Sequence, residues 1–250
     1  MIFKHLEPIN PEVLLESQKL STGQLFSFTQ FSEGEHYDFS DINLLILGIT
    51  ESRAVANKND HCGLAANEVR KEFYQLYAPN ATFKILDLGN LMETATPQES
   101  YELLRHILLQ LRETQVPVLL LGGTQDNTLA QFMAYEENEA PIEVVNIDER
   151  IDLHELKSNM IENDSYLWPM LMHHSNFLGK YTHLGYQQYF VPTKTLTALE
   201  TLNFTCIRLG ELKPAIKKIE PYIRQADMLS LDIGAIKSAD APGKSNQTPN

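Results

Sequence analysis

The sequence predicts an α/β protein of three layers, α/β/α, built on a mostly parallel sheet. Short β-branched and leucine-rich runs alternate with helical patterns along most of the chain. Several of these runs are continuously apolar, as strands covered on both faces are. No composition shift, repeat or low-complexity tract divides the 250 residues, 43% of them hydrophobic, so a single domain spanning 1–250 is expected, with 1–40 as an N-terminal extension packing on it.

The predicted strands are "INLLILGI" (42–49), "TFKILDLG" (82–89), "PVLLLGG" (117–123), "IEVVNID" (142–148), "YTHLGY" (181–186), "FTCIRLG" (204–210) and "DMLSLDI" (227–233). Between the second and third, Thr96 and Glu99 form a capping box around Pro97, and Leu103, Leu104, Ile107, Leu108 and Leu111 fall on one face, which specifies a helix. A stripe through Val69, Phe73 and Leu76 predicts a helix over 63–78. Residues 213–226 read as a helix interrupted at Pro221. Shorter helices are expected in "NPEVLLESQKL", 165–178 and 193–202, and the stretch from 242 onward reads as a tail.

The formal net charge of −13 is spread along the chain, which disfavours nucleic acid and anionic membrane as partners because both repel such a surface. Neither a signal peptide nor a run of about 18 apolar residues appears, so a cytoplasmic protein is expected. Cys62 and Cys206 lie far apart, and no disulfide is expected.

In an open parallel sheet, ligands sit beyond the carboxyl ends of the strands. Three such ends carry polar clusters: "GGTQDNT" after the third strand, "DERID" after the fourth and "SLDIGAIKSADAPG" at the seventh. In order and spacing these segments resemble the three metal motifs of the ureohydrolases (arginase, agmatinase and formimidoylglutamase), and "SADAPG" is most similar to the formimidoylglutamase branch. Weaker similarity lies in "ESRAVANKN", placed like that family's substrate-mouth loop, where Arg53 and Asn57 become candidate substrate-mouth residues.

The resemblance implies an arginase-like fold, C–N bond hydrolysis in linear amidines, and two manganese ions held by four aspartates and two histidines. Matched position by position, the first motif offers Thr124 for an aspartate and Gln125 for a histidine. The second keeps Asp148 and Asp152 around Arg150, which replaces a histidine; the third keeps Asp232, with Gly234 where a second aspartate is expected. Three of six ligands remain. Gln125, Asp148, Asp152 and Asp232 could still hold one hard cation, Mn²⁺, Mg²⁺ or Ca²⁺, whereas Arg150 and Gly234 remove the second position.

Two like charges about 4 Å apart cost on the order of 4 kcal/mol at an effective dielectric near 20, so an unpaired trio of carboxylates needs a counter-charge. A guanidinium at Arg150, binding two aspartates through its fork, is expected to replace the second ion. An arginine does not generate hydroxide as a metal does. The leading expectation is therefore an impaired ureohydrolase-fold protein that acts by binding a small molecule or protein. The alternatives left open are an active amidine hydrolase using a single divalent ion and a structural subunit of a homo-oligomer.

Asp126 is expected to cap the helix that follows it, and His183 to be a hydrogen-bonded structural residue. The family's sheet has eight strands in the spatial order 2-1-3-8-7-4-5-6. Seven are found here, so the last central strand is expected to be missing, as if the chain were truncated relative to the family.

Overall fold

The computed structural model describes residues 2–32, 38–54, 62–138, 140–155, 161–174, 177–241 and 243–244. The chain divides into two compact units, Met1–Ala134 and Tyr135–Asn250.

The first unit contains β1 (Leu6–Glu7), α1 (Pro11–Ser17), β2 (Thr29–Phe31), β3 (Leu44–Ile49), α2 (Ala65–Phe73), β4 (Ile85–Leu91), α3 (Pro97–Arg112), β5 (Val118–Gly122) and α4 (Asn127–Met133). Its sheet runs β1-β4-β3-β5, with β2 also paired to β4. All pairings are parallel except that of β1, which is antiparallel. Helix α3 starts as the sequence specifies: the Thr96 hydroxyl accepts the Glu99 amide, Pro97 stands in the first turn, and Leu104, Ile107, Leu108 and Leu111 are buried. The N-terminal segment contributes Ile9, Val13 and Leu25 to a core cluster shared with Ile46, Tyr74, Ile85 and Leu121.

Helix α2 buries a face other than the expected one. Val69 and Leu76 are exposed, at 42% and 56%. The buried positions are Ala66, Arg70 and Tyr74, spaced four apart. An ion pair explains this. The Arg70 guanidinium, fully buried, donates Nε to Asp87 Oδ2 at 2.8 Å and Nη2 to Asp87 Oδ1 at 2.9 Å, while Tyr74 donates to Asp87 Oδ2 at 2.6 Å. Remaining donors reach Asn90 Oδ1 (2.6 Å) and the Gly89 carbonyl (2.8 Å). Position 48 has to be glycine, because a Cβ there would lie 1.9 Å from Asn90 Oδ1 and 2.7 Å from Arg70 Nη1.

The second unit contains β6 (Ile142–Ile147), α5 (Leu167–Leu171), β7 (Leu178–Tyr186), α6 (Thr193–Thr201), β8 (Thr205–Arg208), α7 (Leu209–Leu212), α8 (Glu220–Gln225) and β9 (Met228–Leu231). Its sheet runs β8-β7-β6-β9, all parallel. The break expected at Pro221 falls instead at Ala215, whose φ of −148° and ψ of 51° are not helical. Pro221 lies in the first turn of α8, where a missing N–H leaves no helical bond unmade.

In the order of the seven predicted strands, the two sheets read 2-1-3 and 7-4-5-6. The third and seventh, β5 and β9, are edge strands of their sheets, and no eighth central strand occurs among the described residues. The short β1 and β2, which the sequence did not announce, extend the first sheet.

Replacing Asp87 with Asn leaves the Arg70 charge buried without its partner. Urea unfolding of Asp87→Asn is expected to show a loss of about 3–5 kcal/mol.

Candidate functional site

Strand register brings the acidic residues of the second unit together. Ile147 of β6 pairs with both Leu184 of β7 and Leu231 of β9. The residues that follow 147 and 231 are Asp148 and Asp232, so neighbouring parallel strands deliver two aspartates side by side at one sheet edge. A Cβ placed on Gly234 would lie 2.6 Å from Asp232 Oδ1 and 3.2 Å from Asp148 Oδ1, so the two carboxylates converge on one point. Asp148, Glu149 and Asp152 are all buried, at 4%, 2% and 7% exposure.

The electrostatics follow from that crowding. Burial first, then the charge of Asp232, drives the Asp148 carboxyl up to about 8, against the opposing hydrogen bonds from the Glu149 and Arg150 amides. Burial, then Asp148 and Asp232, pushes Asp152 well above the usual carboxylate range. Asp232 is raised by burial, opposed by the Gly234 amide and by Lys244. His183, fully buried, bonds through Nε2 to the Asp148 carbonyl at 3.1 Å, so that nitrogen carries the proton, while Nδ1 faces the Tyr181 hydroxyl at 3.1 Å. Burial lowers its pKa to about 4, and it is the hydrogen-bonded structural residue expected.

Arg150 does not occupy the place expected of it. Its guanidinium stacks 4.2 Å from the Phe190 ring centroid and lies 3.9 Å from Glu149 Oε1, with 42% of the side chain exposed. No fork to two aspartates forms. The reason is local: Asp148 Oδ1 accepts the Glu149 amide at 2.5 Å and the Arg150 amide also bonds to Asp148, a turn that carries the next side chain away from the carboxylate.

The cation that does enter is Lys244, in a segment the sequence presents as a tail. Its side chain is 2% exposed. Nζ lies 2.7 Å from the Gly234 carbonyl, 3.2 Å from that of Ile236 and 3.4 Å from Glu149 Oε2. No local pattern marks Lys244 or Glu149 in advance, because both are recruited by tertiary contacts. Sequence reasoning also missed Tyr166, whose buried hydroxyl has no hydrogen-bond partner among the described residues and feels the charges of Asp152, Asp148 and Asp232.

The residues present do not fit a two-manganese centre. Asp148 Oδ1 and Asp232 Oδ1 each accept a backbone amide at 2.5 Å, and a side chain at position 234 would start 2.6 Å from Asp232 Oδ1, so an aspartate there requires that carboxylate to turn away. Among the described residues no group of three or more His, Cys, Asp or Glu side chains is arranged to hold a metal ion. Of the single-cation set expected from Gln125, Asp148, Asp152 and Asp232, the three aspartates of the second unit do not form such a group among the described residues; Gln125 lies in the first unit and is described with it.

In the first unit, Arg53 grips buried Glu51 through Nε at 3.0 Å and Nη2 at 2.5 Å, and bonds the Thr94 and Ala95 carbonyls at 3.0 and 3.2 Å. Burial would raise Glu51, but hydrogen bonds from Arg53 and Ser100 outweigh it and hold the carboxyl below its usual range. Asn57, the other expected substrate-mouth residue, lies outside the described residues. Asp126 stands at the start of α4 but makes no capping bond. Its Oδ2 accepts the Tyr101 hydroxyl at 2.6 Å instead. Cys206 is a free cysteine, and no helix among the described residues is long and apolar enough to cross a membrane.

The model of the arginase family matches residues 43–250. The chain belongs to the arginase family. Solved structures agree on the fold. A Trypanosoma cruzi formiminoglutamase with Mn²⁺ superposes with a TM-score of 0.74 at 18% identity, over 89% of this chain and 79% of that one. The formimidoylglutamase of Bacillus subtilis gives 0.76 at 15%, over 90% and 74%, and the agmatine ureohydrolase of Thermoplasma volcanium 0.68 at 16%, over 96% and 80%. No similar sequence was found among curated proteins. The resemblance read from the three motifs and the arginase-like α/β fold both hold.

The raised carboxyls predict how stability depends on pH. An aspartate in the unfolded chain loses its proton near pH 4, whereas folded Asp148 keeps it to about 8, so each rise in pH through that window favours unfolding. In chelator-containing buffer, stability measured by urea is expected to fall by on the order of 3 kcal/mol between pH 5 and 8.5. The slope should flatten in Asp148→Asn, which cannot ionise.

Proposed function

We propose that this arginase-family protein is a formimidoylglutamase-like pseudoenzyme that acts by binding a small molecule or a protein rather than by hydrolysis. What carries the reading is the state of the acidic cluster: Asp148 and Asp232 spend a carboxylate oxygen each on a neighbouring amide, and three of the family's six metal ligands are replaced. A metal-activated water needs an ion held by open ligands, and two-ion hydrolysis needs a clamp on both attacking and leaving atoms. Of the two cofactor states left open by the sequence, one divalent ion or none, this reading takes none. It places the protein in the cytoplasm, away from nucleic acid and membrane on the strength of its charge of −13, and allows a homo-oligomer.

Purified protein with added Mn²⁺ is expected to release neither formamide from formiminoglutamate nor urea from arginine or agmatine above the protein-free rate. Metal-dependent release that disappears in Asp232→Ala would establish the active amidine hydrolase instead.

A further inference from the structure

We propose that the Lys244 ammonium is the resident cation of the acidic cluster, supplying from the chain itself the positive charge that a metal ion would otherwise bring. Four acidic side chains, Asp148, Glu149, Asp152 and Asp232, are gathered at the carboxyl ends of β6 and β9, three of them nearly out of reach of solvent. A buried lysine is rare unless paired. Lys244 is paired and coordinated: one carboxylate oxygen of Glu149 and the carbonyls of Gly234 and Ile236 take its three protons, the full donor capacity of an ammonium.

The same interaction closes the loop after β9. Gly234 and Ile236 lie within the turn that begins at Asp232, and Lys244 gathers their carbonyls back toward Glu149, on the loop after β6. The ammonium thus ties together the two loops that bear Asp148 and Asp232. Arg150, the other cation on these loops, is stacked on Phe190 at 42% exposure and leaves this role to Lys244.

The inference deepens the reading of a metal-independent pseudoenzyme, and the two can fail separately: product release tests that reading, whereas the reactivity of one lysine tests this one. Native full-length protein is treated with acetic anhydride, and acetylation is followed residue by residue by peptide mass spectrometry. Lys244 is expected to react at least about tenfold more slowly than exposed Lys217 and Lys237, since it reacts only when the loop opens. Added Mn²⁺ should leave that rate unchanged. Reaction as fast as the exposed lysines, or acceleration by Mn²⁺ as the metal displaces the ammonium, overturns the proposal.

Charge compensation is tested by Lys244→Met, which keeps the stem and removes the ammonium. The melting temperature in chelator should fall by about 5 °C or more. Removing Glu149 as well, in Lys244→Met/Glu149→Gln, should restore part of that loss. An unchanged melting temperature in the single variant, or a further loss in the double, shows that the lysine serves only as packing. Where the single variant does not fold, the acetylation of the wild-type protein still decides.

Discussion

Two parallel strands in register place their next residues side by side, and in this protein the residues that follow β6 and β9 are both aspartates. That register constrains everything around the candidate site. The β6–β9 backbone ladder, with Ile147 opposite Leu231, fixes where the strands end, so the backbones of Asp148 and Asp232 cannot separate without breaking it. Their charge has to be met locally. A backbone amide bonds one oxygen of each, a lysine enters from the loop after β9, and burial raises the carboxyls of Asp148, Asp152 and Asp232.

The first unit solves a similar problem by different means. Asp87 sits inside β4 with no exposure, yet Arg70, Tyr74 and the Gly89 amide satisfy both of its oxygens. The partners there are geometrically complete: a planar guanidinium meets a carboxylate in two parallel bonds, and its other protons find an amide oxygen and a carbonyl. Such a pair fixes how α2 lies on the sheet. The acidic cluster of the second unit has no comparable fork, and burial raises its three aspartates.

The fold was largely legible because strand runs and capping signals are local. All seven predicted strands appear, and Thr96 and Pro97 begin α3 as their chemistry requires. The face of α2 was misjudged because apolar periodicity favours Val69 and Leu76, whereas an ion pair buries Arg70, and only the carboxylate 17 residues away reveals it. The three aspartates were marked by the resemblance of their segments to the family's metal motifs, and two of them follow strands that the sequence also marks. Arg150 was misplaced because spacing between charges says nothing about the turn that Asp148 makes with its own following amides. Lys244 was invisible because a loop's return to the sheet leaves no periodic trace.

Protons and metal ions are alternative means of neutralising the same carboxylates. A divalent ion would have to share Asp148 and Asp232 with the Glu149 and Gly234 amides, and would meet the Lys244 ammonium in the same neighbourhood. Burial raises all three aspartates, and Lys244 stands 3.4 Å from Glu149 beside them, an arrangement that burial tolerates far better than a bare group of anions. The glycine at 234 belongs to this arrangement as much as the lysine does: without a side chain there, Asp232 can fold back onto its own turn. On the proposed reading, a ligand set keeps its aspartates and its strand register and becomes a structural cluster through changes at the positions between and after them.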